Sequence, residues 1–139
     1  MTGAPRGGRW VVATGVTLAG VFMLVFGFWA WLAPYSFAEF VAYPVHVHFL
    51  HDAGVFQIGI GVGLLASLAY ADAITVVLAG FLTANTLHAV NHAVDLHLGG
   101  RVSDPFALGA LSLMAGIALF LRVRQLRQNR RNAPAGEER

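Results

Sequence analysis

Cysteine and lysine are absent from this chain of 139 residues, and charge of either sign is scarce, at 12% of positions. Each absence removes chemistry. Without cysteine there is no disulfide framework, Cys-based zinc knuckle, thiol nucleophile or cysteine-ligated iron–sulfur cluster, so any metal must be held by His, Asp, Glu, Asn, Gln or Met. All nine basic residues are arginine, which together with the abundance of Ala, Gly and Val reads as a high-GC bacterial gene. What fills the chain instead is apolar: 57% of residues are hydrophobic and the mean hydropathy is +0.65, values an ordinary soluble domain does not reach. An integral membrane protein is expected. The pI near 9.7 arises mainly from the C-terminal arginines; it speaks of orientation and implies no nucleic-acid partner.

Four apolar segments can be marked off, at about 10–33, 50–71, 73–96 and 106–121, each near the roughly 20 residues that cross the hydrocarbon layer. They predict an all-α, up-down four-helix bundle over residues 10–121, preceded by a tail over 1–9 and followed by a basic tail over 122–139. Pro34 closes the first segment. The turn at Tyr70-Ala71-Asp72 is so short that the second and third segments return as an antiparallel hairpin. Pro34 and Pro44 mark a loop over 34–49, and Gly99-Gly100-Arg101 with Asp104-Pro105 marks another. The first apolar run is too long for a secretion signal and its flanks suit cleavage poorly, so it is expected to be retained.

Arginine distribution gives the orientation. Arg6 and Arg9 precede the first helix and Arg122, Arg124, Arg127, Arg130 and Arg131 follow the last, against a lone Arg101 in the opposite loops. Both termini are therefore expected on the cytoplasmic side of a bacterial inner membrane. Trp10 and Tyr70 fall at the inner interface and Trp29, Trp31, Tyr35 and Tyr43 at or near the outer one, as an aromatic belt requires. Beyond Leu126 the tail is expected to form a short frayed helix and then to be disordered.

Six histidines stand out against this background, in two groups, His46/His48/His51 and His88/His92/His97. Counting from Asp72, Asp52 lies twenty residues back and His92 twenty forward, so both reach about 30 Å from the turn, at the outer boundary. On the third helix a 100° step gathers Asn85, His88, Asn91, His92 and Asp95 into one arc, expected to face the bundle interior. His88 and His92, at i and i+4, are spaced to share a metal or bracket a water, and Asp95 to orient an imidazole. The candidate metal ligands are therefore His51, Asp52, His88, His92 and Asp95, with His48 and His97 at the rim and Asn85 and Asn91 as a polar network. His46 is read as a solvated loop histidine and Glu39 as a solvated loop carboxylate.

Small residues recur at packing spacings: Ala13/Gly20/Gly27 on the first helix, Gly59/Gly63 on the second and Gly109/Ser112/Gly116 on the fourth. They predict seams of close helix approach. Gly59-Ile60-Gly61-Val62-Gly63 is no dinucleotide fingerprint, because it sits mid-membrane with no strand before it.

The four short crossings, the tight second hairpin, the Gly-rich helix HFLHDAGVFQIGIGVGLL and the Gly-Gly break before the last helix together resemble the DoxX-like small bacterial membrane proteins. That resemblance covers most of residues 10–121 and implies a redox or quinone-linked context. No site residue is carried over from it.

Three functional readings follow. The first is a metal-handling or redox protein binding haem, iron, copper or zinc in an outward-facing His/Asp pocket. The second is a noncatalytic subunit, acting with a membrane protein partner or as a homo-oligomer, in which His, Asn and Asp serve as interhelical glue. The third is a protonatable relay or quinone-head site.

Overall fold

The computed structural model describes residues 6–70 and 72–132. Its elements are α1 (Arg6–Leu32), α2 (Pro34–Val41), α3 (Val47–Ser67), α4 (Ile74–Val94), a single 3-10 turn (Leu96–Leu98) and α5 (Asp104–Asn132), with no strand among the described residues. Four of the helices are long and apolar enough to cross a membrane. Large apolar side chains such as Val25, Phe28, Val76, Leu87, Val94, Leu113 and Phe120 lie exposed along them. Water would not tolerate so continuous an apolar surface, and it points to a multi-pass membrane protein.

Two boundaries differ from the sequence reading. The 34–49 loop contains α2, because Pro34 does more than stop α1: lacking an N–H and fixed in φ, it suits the first turn of a new helix. That helix closes at Ala42, which takes the left-handed conformation at φ 53° and returns its N–H to the Ala38 and Glu39 carbonyls. The second difference is at the end of α5, which runs on as one helix to Asn132, past the apolar segment ending near Leu121 and through the short frayed helix expected after Leu126. Arginine and glutamine are good helix formers, so leaving the apolar layer does not end the helix. The expected disorder of the final tail concerns residues beyond 132, outside the described ones.

Packing follows a chain of neighbours. α3 rests chiefly on α1, α4 chiefly on α5, and α1 joins the two pairs through α5, whereas α3 and α4 touch only slightly despite their short connection. A larger apolar cluster unites Val12, Val16 and Ala19 of α1 with Leu64 of α3, Ile74, Leu78 and Phe81 of α4, and Ala115 and Ala118 of α5. A smaller one, Ala30, Phe37, Ala38 and Leu50, joins α1, α2 and the start of α3. It is roofed by Phe26, Trp29 and Phe40, whose ring centroids lie 4.8–6.2 Å apart.

The α1–α3 seam is built from glycine. A Cβ on Gly27 would stand 2.8 Å from the Gly54 carbonyl oxygen, and one on Gly54 would stand 2.7 Å from the Gly27 oxygen. Seven residues away the pattern repeats: a Cβ on Gly61 would lie 2.9 Å from the Gly20 oxygen. Gly20 thus faces Gly61 and Gly27 faces Gly54, so the two helices run in opposite directions with their backbones in contact. Gly20 and Gly27 act as expected; on α3 the packed glycines are Gly54 and Gly61. Gly59 and Gly63, expected to admit a neighbour, have nothing within 4 Å of a Cβ built on them.

Candidate functional site

The polar residues of α4 divide at the helix surface. Asn85 is buried, and its Nδ2 donates to the Leu108 carbonyl and to Ser112 Oγ of α5, both at 2.8 Å. Thr86 Oγ1 donates to the same Ser112 oxygen at 3.2 Å. Each group is satisfied in an apolar setting where an unpaired one costs about 1–3 kcal/mol. Asn91 and Asp95 are exposed, which corrects the expectation that the whole arc faces inward.

His92 is half-buried and lies where α4 meets the start of α5. Its Nδ1 stands 3.6 Å from Asp104 Oδ2, the two side chains being 29% and 24% exposed. That distance is too long for a hydrogen bond and short enough for electrostatic contact. Asp104 is fixed in turn, because its Oδ2 accepts the Arg101 N–H at 2.8 Å. Gly100 closes the site from the loop side. With φ at +96° it occupies backbone space that favours glycine, and a Cβ there would come within 3.4 Å of His92 Nδ1 and 3.5 Å of Asp104 Oδ2. The loop itself is clasped to the α2–α3 connection, since the Gly100 N–H donates to the Ala42 carbonyl at 2.9 Å and the Arg101 guanidinium lies 4.8 Å over the Phe40 ring.

One turn deeper, the exposed His88 ring stacks on His92, with centroids 4.7 Å apart and planes 7° from parallel. No hydrogen bond to either ring is formed by the described residues, so His88 and Nε2 of His92 present nitrogen atoms near the end of a helix apolar enough to cross a membrane.

The remaining histidines lie apart. His48 Nε2 is 3.4 Å from Asp52 Oδ2, one turn away on the outside of α3, at 83% and 56% exposure. His51 is half-buried on the same helix. His46 is exposed and caps α3: its Nδ1 accepts the Phe49 N–H at 3.2 Å. His97 is exposed in the 3-10 turn, and Glu39 is exposed on α2.

The single ligand pocket of His51, Asp52, His88, His92 and Asp95 is therefore not assembled. Among the described residues no group of three or more His, Asp or Glu side chains is placed to hold a metal ion. The reason is lateral: α3 follows α1 while α4 follows α5, so equal depth does not bring the groups together. Nor does the α4 pair fit a metal as it stands. An imidazole lone pair lies in the ring plane, and parallel stacked rings aim theirs side by side, not at one ion. Asp95 was expected to orient a histidine, and Asp104 stands in that place. Asp104-Pro105 reads in sequence as a breaker; an acidic residue just ahead of the helix expected over 106–121 is the signal that it belongs to the first turn of α5.

The class defined so far is a helical multi-pass membrane protein with a polar end on the α4–α5 pair. Comparison with known protein families, with curated proteins and with solved structures found no match to the chain.

Proposed function

We propose that the chain crosses a bacterial cytoplasmic membrane four times in up-down order, with both termini cytoplasmic, and that His88, His92 and Asp104 form an outward-facing hydrogen-bonding site for the polar head of a membrane-soluble ligand of quinone type. The orientation is supported by the arginine excess next to α1 and along the end of α5. The site reading is carried by one observation: His92 turns Nδ1 toward a fixed carboxylate, leaving its Nε2 and the stacked His88 free to meet a carbonyl or hydroxyl. A carboxylate behind an imidazole sets its tautomer and orientation, and such contacts tighten when a ligand binds. Intramembrane ionisable groups are costly and usually functional. The DoxX-like plan agrees with a redox-membrane context, and metal or haem ligation is the weaker reading for want of a converging donor set.

The test is saturable binding of a short-chain quinone to the protein in nanodiscs, read as quenching of tryptophan emission. Binding is expected to be lost in His92→Leu and weakened in Asp104→Asn. No saturable binding, or binding indifferent to both changes, would remove the proposal, and a stoichiometric metal in the purified protein would restore the first reading.

A further inference from the structure

A groove of about 510 Å³ runs along the α1–α5 seam, walled by Trp10 and Leu18 of α1 and by Ala110, Leu113 and Ile117 of α5, with Gly15 at its floor. Its volume is that of a site for one small ligand. Apart from Thr14 and the Trp10 N–H the lining is apolar. A Cβ on Gly15 would stand 3.0 Å from the Ala118 Cβ, and one on Gly8 would stand 3.1 Å from Gln125 Nε2. The two helices therefore run in opposite directions, with Trp10 level with Val123. From Val123 back to Ala110 is about 20 Å of helix, longer than one leaflet's share of the ~30 Å hydrocarbon layer.

The Trp10 end of the groove is polar and positive. Gln125, two turns beyond Ala118 in the same seam, is 8% exposed, and its Nε2 has no hydrogen-bond acceptor among the described residues. A buried donor without an acceptor is costly. Arg124 is exposed, and a 100° step places it on the same stripe of α5 as Ala110, Leu113 and Ile117. Arg122, Arg127, Arg130 and Arg131 continue the positive charge along the helix. Asp72 is the only acidic residue at that end among the described ones.

We propose that this groove is the site of one phospholipid with an anionic headgroup, its acyl chain lying between α1 and α5 and its phosphate accepting from Gln125 Nε2 and the Arg124 guanidinium. Trp10, 73% exposed at the mouth, stands where indoles meet headgroups. Basic pockets between helices at the cytoplasmic face are a recurring form of such sites. Charge selects the occupant: a second copy inserted the same way would bring the same arginines to the groove, whereas an anionic lipid brings the opposite sign. This inference rests on the membrane-crossing reading, with the end of α5 cytoplasmic, and is independent of the site at His92.

Native mass spectrometry of the protein in mild detergent, offered equal phosphatidylglycerol and phosphatidylcholine with the same acyl chains, reads the site directly. One phosphatidylglycerol per chain is expected to be retained in preference to phosphatidylcholine. Arg124→Gln should lower that preference about fivefold, equivalent to ~1 kcal/mol, the worth of one arginine near an anionic surface. Arg130→Gln removes equal charge about 130° round the helix from the groove stripe and should leave the preference within about twofold. Gln125→Leu should weaken retention of both lipids, because the phosphate is common to them. Thr14→Phe, at an exposed position on the wall of the groove, should exclude both, and Ala110→Phe should do so from the α5 side. Helix content by circular dichroism shows which variants are folded. Equal retention of the two lipids, equal loss at Arg124 and Arg130, or retention indifferent to Gln125→Leu or to a filled groove in a folded chain would each overturn the proposal. A dimer that falls apart on Thr14→Phe would give the groove to a second copy and overturn it likewise. Alkaline carbonate extraction tests the membrane-crossing reading by itself: a chain that stays in the membrane pellet while failing these lipid tests would sink the lipid site alone.

Discussion

The two helix pairs in this molecule are joined by opposite means. Between α1 and α3 the contact is backbone on backbone, with four glycines in two reciprocal pairs and no interhelical side-chain hydrogen bond among the described residues. Between α4 and α5 the contact is polar: Asn85, Thr86 and Ser112 form a small hydrogen-bonded knot, and His92 faces Asp104 nearer the loop. In lipid no hydrophobic gradient pulls helices together, so close packing and interhelical hydrogen bonds are the available sources of association. The first pair uses one and the second uses the other. A dry glycine seam has no chemistry to offer, whereas a polar seam can be opened toward a ligand at its end. That is why the candidate site lies on α4 and α5 although α3 carries as many histidines.

The comparison breaks most easily at Gly54. Leucine there would drive its side chain into the Gly27 carbonyl and the Trp31 backbone, where no flexible neighbour can yield. Overpacking of this kind costs about 3 kcal/mol, and Gly54→Leu is expected to abolish cooperative thermal unfolding in mild detergent at the wild-type temperature. If its melting temperature stayed within a few degrees of wild type, the glycine seam would not be what holds α1 to α3.

Asn85 sharpens the other side. Asn85→Leu removes two hydrogen bonds and leaves Ser112 its contact with Thr86, so the expected loss is about 0.6–2 kcal/mol, the range measured for interhelical polar contacts in membranes. Unfolding in a graded denaturing detergent would read it. A cost above that of Gly54→Leu would reverse the ranking of the two seams.

Gly100 ties the polar seam to the loop that closes it. Gly100→Ala places a Cβ at φ +96° within 3.4–3.5 Å of His92 and Asp104, and backbone strain of this sort costs about 1–3 kcal/mol. Because the strain is local to the loop, faster proteolysis at residues 99–103 is expected ahead of any global loss. Unchanged cleavage would mean the loop does not seal the site.

How far the sequence reaches can be judged on the same two seams. The spans were legible because apolar runs of membrane length have few alternatives: 10–33 became Arg6–Leu32 and 73–96 became Ile74–Val94. Gly20 and Gly27 were legible because their seven-residue spacing keeps them on one face, although α1 carries a second glycine pair, Gly8 and Gly15, turned toward α5. On α3 two stripes lie on opposite faces, Gly54/Gly61 and Gly59/Gly63, and only the partner's position decides which is packed. The pocket was misjudged for a related reason. Counting residues from Asp72 gives depth along the helices and says nothing of lateral neighbours, so Asp52 and His92 were joined although their helices hardly touch. Asp104 was overlooked because it opens α5 ahead of the apolar repeat, where no periodicity marks it.

The smallest expected effect lies where neither seam reaches. Gly80 is exposed on α4 and an added Cβ meets nothing within 4 Å, so Gly80→Ala alters no contact within the chain. What changes is intrinsic: alanine restricts the unfolded backbone and favours the helix by about 0.5–1 kcal/mol. The melting temperature is expected to stay level or to rise slightly. A clear loss of stability would show that α4 is covered at Gly80 by a surface the single chain does not contain.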